Sequence, residues 1–383
     1  MLSSCSDGEG GCMDLSVSRS RILRELQFVQ GVVERKTTVP VLANALLETK
    51  GNQLTVTASD LDVTLRCSCA ADIRVAGALS VPARKLFDII RLLPESDVHM
   101  KALSSDWMQI TCSRARFKIP SLPKESFPVI PAVTGDGLNL PADALRRMIP
   151  RCSYAITQEE TRYTLSGALL RVTPGGLTMV SSDGHRLVVL DYGAPFDQLV
   201  DRVEALVPKK TLLELGKLVA EGDAPVQFGL SQNHLFFTVE GRLMVSRVLS
   251  GRFPNYEMVI PRDNRIVMRA PTGELTEALR RVSIMTDLES RGVCMALEEG
   301  SVDLLATSPD AGTASESLPV AYEGPALKVN FNAEYLLDFL TTVESNEVDF
   351  FFKDHEAQVL VKPAREGDGE DPLEYSYVIM PLK

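Results

Sequence analysis

An internal repeat limits what this 383-residue chain can become. Val81-Pro82 and Val207-Pro208 stand 126 residues apart, and so do Phe127-Pro128 and Phe253-Pro254. Equal offsets at two distant landmarks mark one structural unit used more than once. The unit opens with a helical stretch, found from Ser18, from Pro141 and from Thr272, and two copies share the string ALRR at 144–147 and 278–281. A strand hairpin around a glycine turn follows each: ALLETKGNQLTVTASD, ALLRVTPGGLTMVSSD and VCMALEEGSVDLLATSPD. A second helix comes next in LSVPARKLFDIIRLLP, ALVPKKTLLELGKLVA and LKVNFNAEYLLDFLTTV, with proline suited to the first helical turn in two of them. Further strands close each copy.

These patterns predict an α+β protein of three repeated domains, each with two helices packed on antiparallel sheet. The expected spans are a Gly/Ser-rich tail at 1–12, then domains at 13–134, 135–264 and 265–383. The acidic, Gly-rich stretch from Ala364 reads as an exposed loop between the last two strands. No apolar run reaches the ~20 residues that a bilayer needs. The N-terminal residues have neither the basic start nor the apolar core of a signal peptide. Seven scattered cysteines fit a reducing compartment better than a disulfide framework.

A net charge of −11 argues, taken over the whole chain, against binding a polyanion. Its distribution says otherwise. The six helical segments together carry +7, which leaves −18 for everything else. Leu86, Ile89, Ile90 and Leu93 make an apolar stripe with Arg84 and Arg91 opposite, and Leu212, Leu215 and Val219 make another with Lys210 and Lys217 opposite. Lys210 and Lys217 are Arg84 and Arg91 shifted by 126. On the first helix Ile22, Leu26, Val29 and Val33 form the core side, with Arg21, Arg24 and Arg35 on another. A solvated helix face is often basic for solubility alone; repetition in register, against an acidic remainder, favours phosphate contacts without base readout.

Catalytic signatures are missing: the chain has no GxxxxGK[ST], HExxH or GxSxG string and no metal-spaced Cys/His set. Cys67-Ser68-Cys69 reads as a buried or half-buried strand pair, and Ser182, Asp183 and His185 lie within one turn, too close for a relay. No catalytic residue, metal or cofactor is expected.

From Met13 onward the chain resembles the bacterial DNA polymerase III beta subunits. The resemblance rests on VPVLANALLE, SDLD, VPARKLFDIIRLLP, RFKIPSLPKESFP, RYTLSGALL, SSDGHRL, SGRFPNYEMVIP and YVIMPLK in this order. It implies a sliding clamp, a head-to-tail homodimer closed around double-stranded DNA without sequence preference. It also implies the cytoplasm, beside the nucleoid and away from membranes, and docking of a clamp loader, a replicative polymerase alpha subunit and other proteins that carry a clamp-binding motif.

The resemblance assigns the dimer contact to Phe117 and Ile119 against Ile284 and Met285. It gives a partner-peptide cleft of Arg162, Leu165, Ser182, Gly184, His185, Arg186, Leu187, Pro254, Val259, Val378, Met380, Pro381 and Leu382. DNA contacts carried over are Lys36, Arg84, Lys85, Arg91, Lys209, Lys210 and Lys217, to which the charge argument adds Arg24, Arg146, Arg147, Arg280 and Arg281. The family's acidic third-domain edge is reduced here to Asp310 and Glu316. Thr164 stands where some members have a second tyrosine, and Asn332 and Phe339 stand where the other two second helices are read as basic. The alternative from another class is a repeat-built peptide scaffold that encircles nothing.

Overall fold

A computed structural model describes residues 13–34, 39–103, 106–131, 137–157, 159–196, 199, 201–231, 233–310, 312–364 and 371–382. The tail at 1–12, Arg35, Lys36, the first expected domain boundary and most of the acidic loop after Ala364 lie outside the described residues.

The first repeat runs β1 (Asp14–Ser18), α1 (Arg19–Val32), β2 (Asn44–Lys50), β3 (Gln53–Ser59), β4 (Val63–Ala70), β5 (Asp72–Val75), β6 (Ala78–Pro82), α2 (Ala83–Leu92), β7 (Asp97–Leu103), β8 (Trp107–Cys112), β9 (Ala115–Pro120) and β10 (Leu122–Pro123). The second runs β11 (Leu138–Leu140), α3 (Ala142–Ser153), β12 (Gly167–Thr173), β13 (Gly176–Ser182), β14 (Arg186–Gly193), β15 (Val203–Pro208), α4 (Lys209–Val219), β16 (Val226–Ser231), β17 (His234–Val239) and β18 (Arg242–Arg247). The third runs β19 (Ile266–Pro271), α5 (Thr272–Val282), β20 (Gly292–Glu298), β21 (Ser301–Ser308), β22 (Gly312–Pro319), β23 (Ala321–Tyr322), β24 (Leu327–Asn332), α6 (Ala333–Leu340), β25 (Glu347–Phe352), β26 (Val359–Pro363) and β27 (Leu373–Ile379). No helix among the described residues is long and apolar enough to cross a membrane.

Helices and hairpins fall where periodicity places them. Leu86, Ile89, Ile90 and Leu93 are buried under α2 while Arg84 and Arg91 are exposed. On α1, Ile22, Leu26 and Val29 are fully buried, but Val32 and Phe28 complete that face in place of Val33. Three elements escaped the sequence reading. A short strand precedes the first helix of each repeat: β1 pairs with β7, β11 with β16 and β19 with β25.

The strands of a repeat do not form one sheet, as expected from sequence, but divide between two. The chain makes two compact units, one of residues up to Asp143 with Leu213–Val248, the other of Ala144–Leu212 with Leu249 onward. In the first unit, one sheet has the order β5-β1-β7-β8-β9 and a nine-stranded sheet the order β10-β6-β2-β3-β4-β18-β17-β16-β11. The second unit repeats the scheme, with a nine-stranded sheet β15-β12-β13-β14-β27-β26-β25-β19-β23 and a smaller one β22-β21-β20-β24. Each nine-stranded sheet is thus two half-sheets from successive repeats, zipped at β4·β18 and at β14·β27. Backbone N–H and C=O groups left bare at a half-sheet's edge are paired by this junction.

A buried ion pair spans the first junction. Glu25 of α1 and Arg242 of β18 are 6% and 5% exposed and share two hydrogen bonds of 2.8 Å, with the guanidinium 4.5 Å above the Phe28 ring. Bidentate geometry repays part of the desolvation, but a lone charge left in that place would not be repaid. Glu25→Gln is therefore expected to destabilise the protein by about 3 kcal/mol. The double change Glu25→Leu with Arg242→Met is expected to recover most of that loss. Urea unfolding midpoints of the two variants check both outcomes.

Candidate functional site

In the second unit, β13 ends in Ser182 and a tight turn leads into β14. Asp183 builds that turn, since its Oδ1 accepts the backbone N–H groups of His185 and Arg186 at 3.0 Å each. Gly184 has φ +90°, a conformation that favours glycine, and a Cβ there would displace the Arg162 guanidinium. β27 continues alongside, and its exit is pinned by the Met380 N–H donating to the His185 carbonyl at 3.0 Å.

Beneath the turn lies an apolar cluster of Leu169, Val180, Leu187, Val189, Leu206, Tyr256 and Val378, with Leu249, Phe253, Val259 and Ile260 of the exit segment packed against it. A cavity of about 180 Å³ opens onto this cluster. It is lined by Leu165, Ser182, Gly184, His185, Arg186, Leu187, Phe253, Pro254, Tyr256, Val259, Val378 and Met380. Ten of the thirteen cleft residues read from sequence are among them. Arg162, Pro381 and Leu382 are not: Arg162 donates to the Asp183 carbonyl and pairs with Glu159 at 3.2 Å, and the Leu382 N–H donates to Asn330 at 2.8 Å. Phe253 and Tyr256 are the residues the sequence reading missed. A larger hollow of about 530 Å³, which also touches Val259, is lined by charged and amide groups such as Arg262, Asp263 and Asn264, and offers apolar side chains less.

Arg186 is the strut of the cleft rather than a free ligand. It is 7% exposed, and its Nε donates to Asp183 (2.9 Å), Nη1 to Asp338 of α6 (2.7 Å) and Nη2 to the Tyr154 carbonyl (2.9 Å). The guanidinium also lies 4.2 Å from the Tyr335 ring centre. Burial works against its charge, but Tyr377, Asp338 and Asp183 outweigh that and raise its pKa further. Lys209, half-buried, donates to the Ile156 carbonyl at 3.2 Å, and burial followed by the nearby Arg186 lowers its pKa. With both Asp183 oxygens engaged and His185 stacked on Tyr335 at 6.3 Å, Ser182, Asp183 and His185 form no relay.

The basic helix faces are less free than their sequence reads. Arg84 and Lys85 are exposed and make no ion pair among the described residues. Arg91 reaches Asp88 at 3.7 Å, Lys217 reaches Glu214 at 2.7 Å, and Arg24 reaches Glu221 at 2.7 Å. Arg147 is bidentate on Asp371 (2.8 and 2.6 Å) and holds that carboxyl below its usual range. Arg280 pairs with Glu277 and Arg281 with Glu316. Arg146 and Lys210 are half-buried.

Helix starts also correct two alignments. α3 begins at Ala142 and α5 at Thr272, so ALRR occupies the start of one helix and the end of the other. Arg24 and Arg147, both five residues into their helices, correspond to Glu277. Likewise α6 begins at Ala333, which aligns Arg84 and Lys210 with Glu334 rather than Asn332. It also aligns Arg91 and Lys217 with Thr341 rather than Phe339. Asn332 caps α6, accepting from the Glu334 N–H at 2.9 Å, and Phe339 is core, stacked 4.9 Å from Tyr377. Glu334 pairs with Arg291. The third repeat thus carries acids at two of these three positions, Glu277 and Glu334, and a threonine at the third.

Of the four expected dimer contacts, Phe117 is 38% and Ile284 73% exposed and Met285 is half-buried, but Ile119 is only 4% exposed. Leu288, 87% exposed close after Ile284, was not anticipated. Cys67 is buried and Cys69 half-buried; burial raises both thiol pKa values, that of Cys69 to about 11. No group of three or more metal-ligating side chains forms among the described residues.

Family models match in three consecutive blocks. The DNA polymerase III beta subunit N-terminal domain covers 13–131, the central domain 139–255 and the C-terminal domain 257–383. The beta sliding clamp of Pseudomonas putida KT2440 is 35% identical over 373 residues, covering 97% of this chain and all of that one. That of Caulobacter vibrioides NA1000 is also 35% identical, over 381 residues, with the same coverage. Among solved structures, the Pseudomonas aeruginosa sliding clamp bound to griselimycin is similar with a TM-score of 0.88 at 36% identity, covering 98% of this chain and 100% of that one. The Caulobacter crescentus clamp with bound PEG gives 0.90 at 34%, covering 97% and 99%.

Because Asp338 touches Arg186 and does not line the cavity, Asp338→Ala is expected to weaken binding of an apolar-ended peptide five- to thirtyfold, about 1–2 kcal/mol. Arg186→Lys is expected to weaken it as well, since a point charge cannot serve three divergent acceptors. Fluorescence anisotropy with a labelled peptide measures both, and a melting curve shows that the fold persists.

Proposed function

We propose, because the chain belongs to the DNA polymerase III beta subunit family, that it works as a sliding clamp: a closed head-to-tail homodimer that holds duplex DNA and tethers polymerase to it. The observation that carries this reading lies at two of the sheet ends among the described residues, those of β9 and β22. Within the chain, the third hairpin strand of one repeat is always met by the last strand of the next, as β4 is by β18 and β14 by β27. β22 is the third hairpin strand of the last repeat and β9 a closing strand of the first, and each ends its sheet. The rule that joins repeats inside the chain would then join β22 of one copy to β9 of another, and two copies with two such contacts close on themselves. Phe117 beside that edge, with Ile284, Met285 and Leu288 near the end of α5, supply apolar contact.

The clamp acts by enclosure rather than by chemistry. Arg84, Lys85, Arg91 and Lys217 on the helices, with Lys36 and the more committed Arg24, Arg146, Arg147, Lys209 and Lys210, offer phosphates weak, salt-screened contacts that permit sliding. Arg280 and Arg281, each facing an acid, contribute less. The acidic remainder disfavours DNA on other surfaces. The cleft under Gly184 and Met380 takes apolar anchors of linear motifs from the clamp loader, the replicative polymerase alpha subunit and other partners, and raises their concentration at the primer end. The protein is non-catalytic, needs no cofactor and works in the cytoplasm on the nucleoid. The non-encircling scaffold has no use for two complementary open edges.

The protein is expected to run at about 84 kDa, twice its 41.9 kDa chain. After loading, it should stay on nicked circular DNA and leave the same DNA once linearised. Equal retention on both forms would exclude enclosure and favour the scaffold.

A further inference from the structure

The first junction contains a polar counterpart of the cleft, matched to it turn by turn and strand by strand. Ser59 and Ser182 stand 123 residues apart. After each comes the same turn: Asp60 Oδ1 accepts the N–H groups of Asp62 (3.0 Å) and Val63 (2.6 Å), as Asp183 does in the second unit. Leu61 holds φ +78° where Gly184 holds +90°. The Arg247 N–H donates to the Asp62 carbonyl at 2.9 Å, as Met380 does to His185.

Side chains in this frame have changed character. Val180, Leu187, Val189 and Leu206 of the apolar cluster become Thr57, Thr64, Arg66 and Ser80, and Met380 becomes Arg247. Two of the polar newcomers satisfy one another's neighbours: Thr64 bonds Ser59 at 2.7 Å and Ser80 accepts from Asn44 at 3.3 Å. The other two do not. Thr57 and Arg66 face each other across β3 and β4, Thr57 is fully buried, and its Oγ1 and the Arg66 Nε are buried without a hydrogen-bond partner. Unsatisfied buried polar groups are costly and rare, so the Arg66 Nε–H donor, with the Thr57 hydroxyl opposite it, calls for an acceptor from outside. Nearby acids are engaged elsewhere: Glu48 with Lys124 at 2.6 Å, and Asp62 towards Arg247 at 3.9 Å. Arg247 itself is 63% exposed at the rim, with Leu61 and Val129 offering apolar surface.

We propose that this frame is a second docking site, selective for a carboxylate presented by an acidic side chain of a partner peptide, with Arg66 and Thr57 as its floor and Arg247 at its rim. It rests on the reading of the second-unit cleft as a peptide site. Charge-assisted bonds of this kind give roughly ten- to hundredfold selectivity over a neutral isostere.

The test uses the full-length protein and two labelled octapeptides, one with a central Asp-Asp-Leu and one with an apolar end. The acidic peptide is expected to bind the native protein and to lose at least about tenfold when its aspartates become asparagines. Arg66→Met is expected to abolish acidic-peptide binding while leaving the apolar peptide and the melting temperature unchanged or the latter higher. Unaltered acidic-peptide binding in Arg66→Met overturns the proposal. So does competition by acetate or phosphate at the peptide's own concentration, which would make the frame a free-anion site only. If the apolar peptide fails on native protein, the docking reading of the second-unit cleft falls instead.

Discussion

Strand pairing between successive repeats is the interaction on which the remainder of this molecule depends. A half-sheet of four or five strands exposes a row of backbone donors and acceptors, and an exposed row invites uncontrolled pairing. Here the third hairpin strand of each of the first two repeats is answered by the next repeat, β4 by β18 and β14 by β27. The first and last half-sheets keep theirs open. Order along the chain follows one rule applied twice, and the proposed assembly applies it a third time between chains.

The junctions also decide where partners can sit. Each creates a turn, a crossing strand and an exit segment in the same arrangement, but the residues placed there differ. At the second junction a glycine, a methionine and a valine-leucine floor leave an apolar hollow, and Arg186 ties that hollow to α6 through Asp338. At the first, Leu61, Arg247 and Arg66 occupy corresponding positions, and the side chains there are polar where the second junction's are apolar. Duplicated scaffolds separate function in this way, because backbone geometry is retained while side chains drift.

Much of this was legible in the sequence, within the reach of local patterns. The stripe of Leu86, Ile89 and Ile90 and the paired Val-Pro and Phe-Pro landmarks gave helix faces and repeat length, since periodicity and proline chemistry act over a few residues. Sharing of sheets was not legible, because Val63 meets Ser246 and Arg186 meets Ile379 across nearly two hundred residues and neither pairing leaves a local trace. Asp338 was missed for the same reason. The string ALRR misled because identity of letters is weaker than identity of helical position: counted from the helix start, Arg147 answers to Glu277. Ile119 read as a contact residue together with Phe117, two residues before it in β9, yet only Phe117 is exposed within one chain.

The carboxylates at Glu277 and Glu334 have a mechanical sequel. On the proposed reading they leave the last repeat, whose strand β22 ends its sheet, with the weakest hold on DNA. On that reading, a ring opened at that seam would part beside the repeat whose helical arginines are already held by acids, Arg280 by Glu277 and Arg281 by Glu316.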